Sequence, residues 1–242
     1  MTPSQLFEQI VQTRRSVRIY DKTAPFDSEA VRRSLERAVL SANSSNMQLW
    51  EFYWVQSAEV KGLLEKACMG QSASKTANQL VVFVTRQDKW KKMAAWNLAN
   101  LEKQFEGKEL TKKDRRALDY YKKLMPLLYR DDFFGFNTLF RKIIILFLGF
   151  NKPFMRIATK GDQRVVLHKS VALAAQIFML SMTAEGYDTC PMEGLDKNMV
   201  SKALNLPNSA EITMIVACGK GTPEGIYSER LRVPNEEVIK IV

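Results

Sequence analysis

The sequence is poor in the side chains that usually carry acid–base and nucleophilic catalysis. Its 242 residues include one histidine, His168, and three cysteines, Cys68, Cys190 and Cys218. A Ser-His-Asp or Cys-His constellation would need that one imidazole, which opens an apolar helical pattern with no nucleophile motif nearby. We expect a structural or solvated histidine, so an enzymatic reaction would depend on a bound cofactor.

Further absences narrow the class of protein. An odd number of cysteines at wide spacing argues against a disulfide framework, so we expect reduced thiols in the cytoplasm. No Cys/His cluster has the spacing of a set of metal ligands. The chain opens without a signal-peptide pattern. Gly219-Lys220-Gly221 is too weak a match for a dinucleotide-binding loop.

Positive charge is concentrated in the middle of the chain. The net charge is +10, and residues 86–160 contain 18 Lys/Arg against 8 Asp/Glu, whereas the remainder contains 18 of each. The high isoelectric point therefore says little about nucleic acid binding by the chain as a whole, and no nucleic-acid motif is present. A basic peripheral protein that binds a membrane or nucleic acid through 86–160 remains an alternative function.

Hydrophobic periodicity predicts a single α+β or α/β domain over 1–242. Helices are expected to outnumber the strands that they separate. The predicted helices are 4–14, 28–41, 58–68, 88–105, 111–130, 163–186 and 196–204, and the predicted strands are 50–55, 80–85 and 212–218. The helix over 163–186 is apolar around most of its circumference, which predicts burial on most sides.

A second apolar stretch, 143–150, has three interpretations. It is far shorter than the ~20 residues that span a bilayer. A buried helix is the simplest interpretation. The alternatives are a lid over a site and an interfacial membrane contact within 131–156, flanked by Arg141, Lys142, Lys152 and Arg156.

The most informative motif is Arg14-Arg15-Ser16-Val17-Arg18, which follows the first predicted helix. Guanidinium groups present planar forks of donors that match a phosphate, and their charge does not titrate near neutral pH. Arg230 and Arg232 could reach the same phosphate from the other end of the chain. Taken alone, such a run is more often a solvated surface.

Two later stretches carry chemistry that suits a flavin ring. Asn46 and Gln48, in Ser44-Ser45-Asn46-Met47-Gln48-Leu49-Trp50, offer amide donors and acceptors for its carbonyls and ring nitrogens. The predicted turn Pro191-Met192-Glu193-Gly194 could aim a backbone N–H at flavin N5, because glycine allows close approach and proline fixes the entry. Each stretch could also be an ordinary turn or helix cap.

Together and in this order, these motifs resemble those of the FMN-dependent nitroreductase family, across roughly 4–85 and 163–235. The resemblance implies phosphate contacts from Arg14, Arg15, Ser16, Arg18, Arg230 and Arg232. It implies flavin-ring contacts from Asn46, Gln48 and the turn Pro191, Met192, Glu193 and Gly194. Gln71 falls near a family position that bonds the pyrimidine edge, with Lys75 as the rival.

The resemblance also implies a fold, an assembly and a reaction. The fold would be a mixed sheet wrapped by helices, and the assembly a homodimer with FMN at the subunit interface and a C-terminal tail reaching the partner. NADH or NADPH would reduce the flavin at N5 in a ping-pong cycle, and a nitroaromatic or quinone would then be reduced. Another flavin reaction, dehalogenase-like or oxygen-dependent, is the alternative on the same fold.

Two departures from the family limit what the resemblance implies. Leu49 replaces the usual proline. The segment 86–162, a helical and basic insertion, is longer and more aromatic than the family region that shapes the substrate pocket. Its aromatic residues could line a pocket, although packing against the body is expected for most of them; they are Trp90, Trp96, Tyr120, Tyr121, Phe133, Phe134 and Phe136.

Overall fold

A computed structural model describes residues 1–130 and 135–242. Its four strands are β1 (Trp50–Val55), β2 (Gln79–Arg86), β3 (Asp188–Met192) and β4 (Ala210–Gly219). They form one sheet in the order β1-β2-β4-β3, and all three pairings are antiparallel. A single parallel bridge joins Ser16 to Thr189 of β3.

Strand β3 is absent from the sequence prediction, which placed a turn at Pro191–Gly194. Its sequence, Asp188-Thr189-Cys190-Pro191-Met192, lacks the β-branched run of a central strand and contains a proline. Proline cannot donate to a strand ladder, so it is found on edge strands, and β3 lies at the edge of the sheet.

Eleven α-helices are present in the described residues. They are α1 (Pro3–Thr13), α2 (Glu29–Val39), α3 (Ala58–Ala67), α4 (Ser72–Thr76), α5 (Trp90–Phe105), α6 (Lys112–Asp119), α7 (Met125–Tyr129), α8 (Phe136–Leu148), α9 (Lys160–Ala184), α10 (Lys197–Ala203) and α11 (Asn235–Val238). A π-helical segment, Tyr120–Leu124, joins α6 to α7. The predicted α+β class is therefore confirmed, with helices on both faces of an antiparallel sheet.

Alternation along the strands divides the core between the two faces of the sheet. On one face, Leu80 and Val82 of β2 pack with Leu64 of α3 and Val200 of α10. On the other face, neighbouring strand residues pack against α2 and α9, and the Phe83 and Phe178 rings lie 5.5 Å apart, edge to face.

Helix α9 is the longest helix and the axis of the second core. Thr159 caps its start by accepting a hydrogen bond from the Asp162 N–H, and Gly186, with φ of 83°, follows its end. Its length and apolar composition would suffice to cross a membrane, but half of its most apolar window is buried inside this fold. The prediction of a largely buried core helix is confirmed, although Val165, Leu173 and Ile177 remain exposed.

The segment between β2 and α9 is mainly helical and forms a third cluster with the body. Trp90 and Tyr129 stack at 6.4 Å between ring centroids, and this pair packs around Met47, Leu49 and buried Met125. Trp96 and Phe136 stay exposed. Phe133 and Phe134 lie outside the described residues.

The buried-helix interpretation of 143–150 is wrong. In α8 and the following turn, Ile143, Leu146, Phe147 and Phe150 are exposed. The one buried side chain of α8 is Arg141, which therefore does not flank a surface patch as the sequence suggested.

We predict that Phe178→Ala lowers the free energy of unfolding by about 3–5 kcal/mol, because it leaves a cavity at a fully buried position against Phe83. Urea unfolding followed by circular dichroism measures the change. Trp96→Ala, a truncation at a half-exposed position of α5, should cost well under half as much. Equal losses in the two variants would contradict the assignment of the core.

Candidate functional site

A basic cavity forms where the two ends of the chain meet. Its volume is about 250 Å³, and it is lined by residues 14–16, 18 and 226–232. All four N-terminal residues predicted to contact a phosphate line it, together with both predicted C-terminal arginines; these are Arg14, Arg15, Ser16, Arg18, Arg230 and Arg232.

Backbone hydrogen bonds hold the N-terminal motif between β3 and the C-terminal segment. The Val17 N–H donates to the Thr189 carbonyl at 3.1 Å, and the Arg18 N–H donates to the Gly225 carbonyl at 2.9 Å. Gly225 is needed for this approach, because a Cβ at that position would lie 2.6 Å from Val17 Cγ1 and 2.7 Å from the Ile19 nitrogen. The cavity therefore depends on main-chain pairing as well as on arginine content.

The cavity concentrates positive charge without neutralising it. Partial burial, with the nearby guanidiniums of Arg230 and Arg232, lowers the pKa of Arg14. Among residues 1–130 and 135–242, no carboxylate forms an ion pair with any of the five cavity arginines. An anion such as a phosphate would relieve the repulsion and occupy the free donors.

The individual arginines have different tasks. Arg230 donates to the carbonyls of Gln12 at 2.9 Å and Arg14 at 2.5 Å, so it caps the C-terminal end of α1. Arg15 donates to the Ser228 carbonyl at 2.5 Å. Sequence reasoning missed Tyr227, whose ring lies 5.2 Å from the Arg18 guanidinium carbon.

The first half of the predicted Pro191–Gly194 turn belongs to a strand, and only its second half lies outside regular structure. Pro191 and Met192 belong to β3, whereas Glu193 and Gly194 follow it and are exposed. Gln71, just before α4, donates from its side-chain amide to the Gly194 carbonyl at 2.7 Å. Within the described ranges no hydrogen bond uses the N–H of Glu193 or Gly194, so two backbone donors remain available beside Gln71.

Gln71 and its rival Lys75 lie close together. Gln71 bonds to the turn directly, whereas the Lys75 side chain reaches back beside Gly70, the residue before Gln71. Because Thr189 bonds to Val17 and lies five residues before Gly194, β3 connects the basic cavity to this turn. The arginine motif, the turn and Gln71 are thus parts of one continuous structure.

The loop that carries Asn46 and Gln48 has an unusual backbone. Ser45, Asn46 and Gln48 have φ values of 57°, 48° and 48°, in the left-handed region that costs energy for residues other than glycine. Such a conformation persists only where surrounding contacts hold it.

The contacts that hold Ser45 and Asn46 in this loop come from the insertion. The Tyr121 hydroxyl donates to the Ser45 carbonyl at 2.9 Å, and the Tyr120 hydroxyl lies 2.5 Å from Ser45 Oγ. Buried Asn97 of α5 exchanges two hydrogen bonds with Asn46, each of 2.9 Å, through its side-chain amide nitrogen and oxygen. The sequence identified the two tyrosines only as packing or lining residues, and Asn97 carries no local signal.

No residue of the 44–48 loop lines the basic cavity in this chain. The loop contacts α5, the π-helical segment and Ser170 of α9 instead. The structure therefore brings together the arginines and, through β3, the turn and Gln71. It does not bring Asn46 and Gln48 to them within this chain.

The remaining reactive groups have structural positions. His168 links α9 to β4, with Nδ1 2.9 Å from Thr213 Oγ1 and Nε2 3.3 Å from Glu211 Oε2. All three cysteines are free and buried, and burial raises the pKa of Cys68 to about 11 and that of Cys218 to about 12. Over the described parts of the chain, no group of acidic, histidine or cysteine residues could hold a metal ion.

Comparison with known proteins identifies a family for this chain. The family model described as Nitroreductase family matches residues 11–220. MhqN of Bacillus subtilis, provisionally named an NAD(P)H nitroreductase, is 23% identical over 236 residues, covering 97% of this chain and 98% of its own. DrgA of Synechocystis is 25% identical over 228 residues, covering 94% of this chain and 90% of its own.

A solved structure with a bound cofactor has the same fold. A nitroreductase-type protein of Exiguobacterium sibiricum, crystallised with FMN, superposes with a TM-score of 0.67 at 22% identity, covering 98% of this chain and 97% of its own. The family match spans most of the sequence and includes the arginine motif, the 44–48 loop and the turn after β3. The chain therefore belongs to the nitroreductase family, a family of FMN-dependent NAD(P)H oxidoreductases.

Proposed function

We propose that this chain uses NADH or NADPH to reduce an organic acceptor of the nitroaromatic or quinone type, in a ping-pong cycle through bound FMN. The observation that carries the proposal is the basic cavity, in which arginines from both ends of the chain converge without a carboxylate partner among the described residues. A phosphate-bearing cofactor would neutralise this charge. The absence of a histidine-based constellation supports the same conclusion.

The residues of the cavity fit the phosphate end of FMN. Arg14, Arg15 and Arg18 would supply charged donors, and Ser16 a hydroxyl. Arg232 would add charge from the C-terminal segment. Arg230 is mainly engaged with the α1 carbonyls, so its first task would be to position Arg14.

The turn after β3 fits the ring end. Gln71 would hold the Gly194 carbonyl and so fix the direction of the free N–H groups of Glu193 and Gly194. Pro191 and Met192 would fix the approach of the strand to that turn. When bound, FMN supplies the ring nitrogen N5, which accepts a hydride from the nicotinamide and delivers it to the acceptor. The chain's own groups would bind and orient the reactants.

Asn46 and Gln48 would reach the flavin only across a subunit interface. Their loop does not line the basic cavity of its own chain, although its left-handed backbone and its clamp by Asn97 are typical of a preorganised site. A two-fold symmetric dimer would bring this loop from one subunit to the cavity of the other.

Exposed apolar surfaces support such a homodimer. Helix α1 buries none of its residues in the described chain, although Leu6, Phe7 and Val11 are apolar. Leu173 and Ile177 of α9 are likewise exposed. The C-terminal tail exposes Val238, Ile239 and Ile241 and would lie on the partner. We place this dimer in the cytoplasm, where the buried cysteines would stay reduced.

The deciding measurement is the visible absorption spectrum of the purified chain after FMN is added, before and after anaerobic NADH or NADPH. We expect twin flavin bands that bleach with one nicotinamide and recover on adding a quinone or nitroaromatic compound. Bands that do not bleach would favour a dehalogenase-like or oxygen-dependent reaction. A chain that takes up no flavin would overturn the proposal.

We predict that Arg14→Gln weakens FMN binding about 10- to 100-fold, because it removes a charge-assisted hydrogen bond to phosphate. Fluorescence titration with FMN measures the affinity. Arg116→Gln, which removes an exposed charge from α6, controls for net charge and should bind FMN normally. Riboflavin, which lacks the phosphate, should bind both variants with the same affinity. A weaker affinity of Arg14→Gln for riboflavin would refute the phosphate assignment.

We predict that Phe7→Asp converts the dimer to monomers and abolishes tight FMN retention, since Phe7 is an exposed apolar residue of α1. Two copies per dimer would remove roughly 3 kcal/mol or more of association free energy. Sedimentation velocity and the flavin-to-protein absorbance ratio are the measurements. Met199→Asp on α10 is the control, at another exposed apolar position. A dimer that survives Phe7→Asp would exclude α1 from the interface.

A further inference from the structure

Helix α8 buries a charged side chain and exposes apolar ones, the reverse of the usual arrangement. Its inward side chain Arg141 is only 4% exposed and donates to the carbonyls of Leu127 at 3.0 Å, Arg130 at 3.1 Å and Ala158 at 3.2 Å. A charged side chain is rarely buried unless such partners satisfy it. The helix therefore places its charge toward the protein.

The outward face of α8 is apolar. Leu139, Phe140, Ile143, Leu146 and Phe147 are all exposed and recur at intervals of three and four residues, which places them on one stripe. Phe147 is 74% exposed, and Phe150, just beyond the helix, is 81% exposed. A soluble surface helix has the opposite arrangement, so this stripe requires an apolar environment.

Arg141 fixes the orientation of the stripe. A rotation that turned the apolar residues inward would remove the guanidinium from three backbone carbonyls, two of them just before the helix and one after it. Each carbonyl would lose its charged donor, which is unfavourable at a buried position. The exposed face is therefore built into the packing.

The charged side chains within residues 135–160 are all of one sign. Residues 135–160 contain five basic residues, Arg141, Lys142, Lys152, Arg156 and Lys160, and no acidic one. Four of them are exposed, and Lys142, Lys152 and Arg156 lie in α8 or the turn after it. An apolar stripe bordered by cations is the arrangement of helices that lie in the interface of an anionic lipid bilayer.

We propose that α8 and residues 149–156 bind the surface of an anionic bilayer, with the apolar stripe at the level of the acyl chains and the lysines among the headgroups. The 13 residues of α8 span about 20 Å, so the helix would lie along the surface and not cross it. A second copy of the same face is a poorer occupant, because it would bring like charges together. The proposal does not depend on FMN binding.

The test is co-sedimentation of the full chain with vesicles of phosphatidylcholine, alone or with about 30% phosphatidylglycerol. We expect binding to the anionic vesicles, weaker binding to the neutral ones, and partial release at high salt. Phe140→Asn/Phe147→Asn should reduce the partition coefficient about 100-fold, roughly tenfold for each ring withdrawn from the bilayer. Lys142→Glu/Lys152→Glu should weaken binding to anionic vesicles and leave binding to neutral ones unchanged.

The control is Met199→Asn, which makes the same kind of change at an exposed position of α10 and should bind vesicles as the wild type does. Circular dichroism and thermal melting check that each variant is folded, which is expected because both phenylalanines are exposed. Failure of the folded wild type to bind either vesicle would overturn the proposal. Unchanged vesicle binding by the double phenylalanine variant would also overturn it. So would self-association of the wild type, seen as a concentration-dependent increase in mass, if the double variant abolishes it and the wild type binds no vesicles.

Discussion

The pairing of the N-terminal segment with β3 is the interaction on which the candidate site depends. Val17 bonds to Thr189, and through this bond the arginine motif is fixed beside the strand that leads to Glu193 and Gly194. The neighbouring bond from Arg18 to Gly225 brings the C-terminal arginines to the same place. Three distant parts of the sequence thus meet through main-chain contacts, so the side chains around them can serve a ligand.

The insertion has a structural task besides any effect on the acceptor. Tyr120 and Tyr121 hold Ser45, and Asn97 holds Asn46, so helical segments of the insertion help to maintain the strained 44–48 loop. Changes in this segment would consequently alter the geometry of the loop as well as the shape of a pocket.

The sequence was most informative where local chemistry and structure coincide. The arginine motif stood out because it occurs in order with the 44–50 stretch, the turn after Pro191 and the C-terminal arginines. The central strands were predictable because their apolar runs are continuous. Strand β3 was not predictable, since Pro191 and Asp188 hide an edge strand that only its partner defines. The capping of α1 by Arg230, 216 residues from Arg14 in sequence, and the outward stripe of α8 depend on tertiary contacts that no local pattern contains.

The burial of all three cysteines has a chemical consequence for a flavoprotein. Reduced flavins that meet dioxygen release hydrogen peroxide, and peroxide attacks the thiolate form of cysteine. Desolvation raises the pKa of Cys68, Cys190 and Cys218, so each remains a protonated, inaccessible thiol at neutral pH. The three cysteine thiols are therefore protected against oxidation by peroxide that a bound flavin would release.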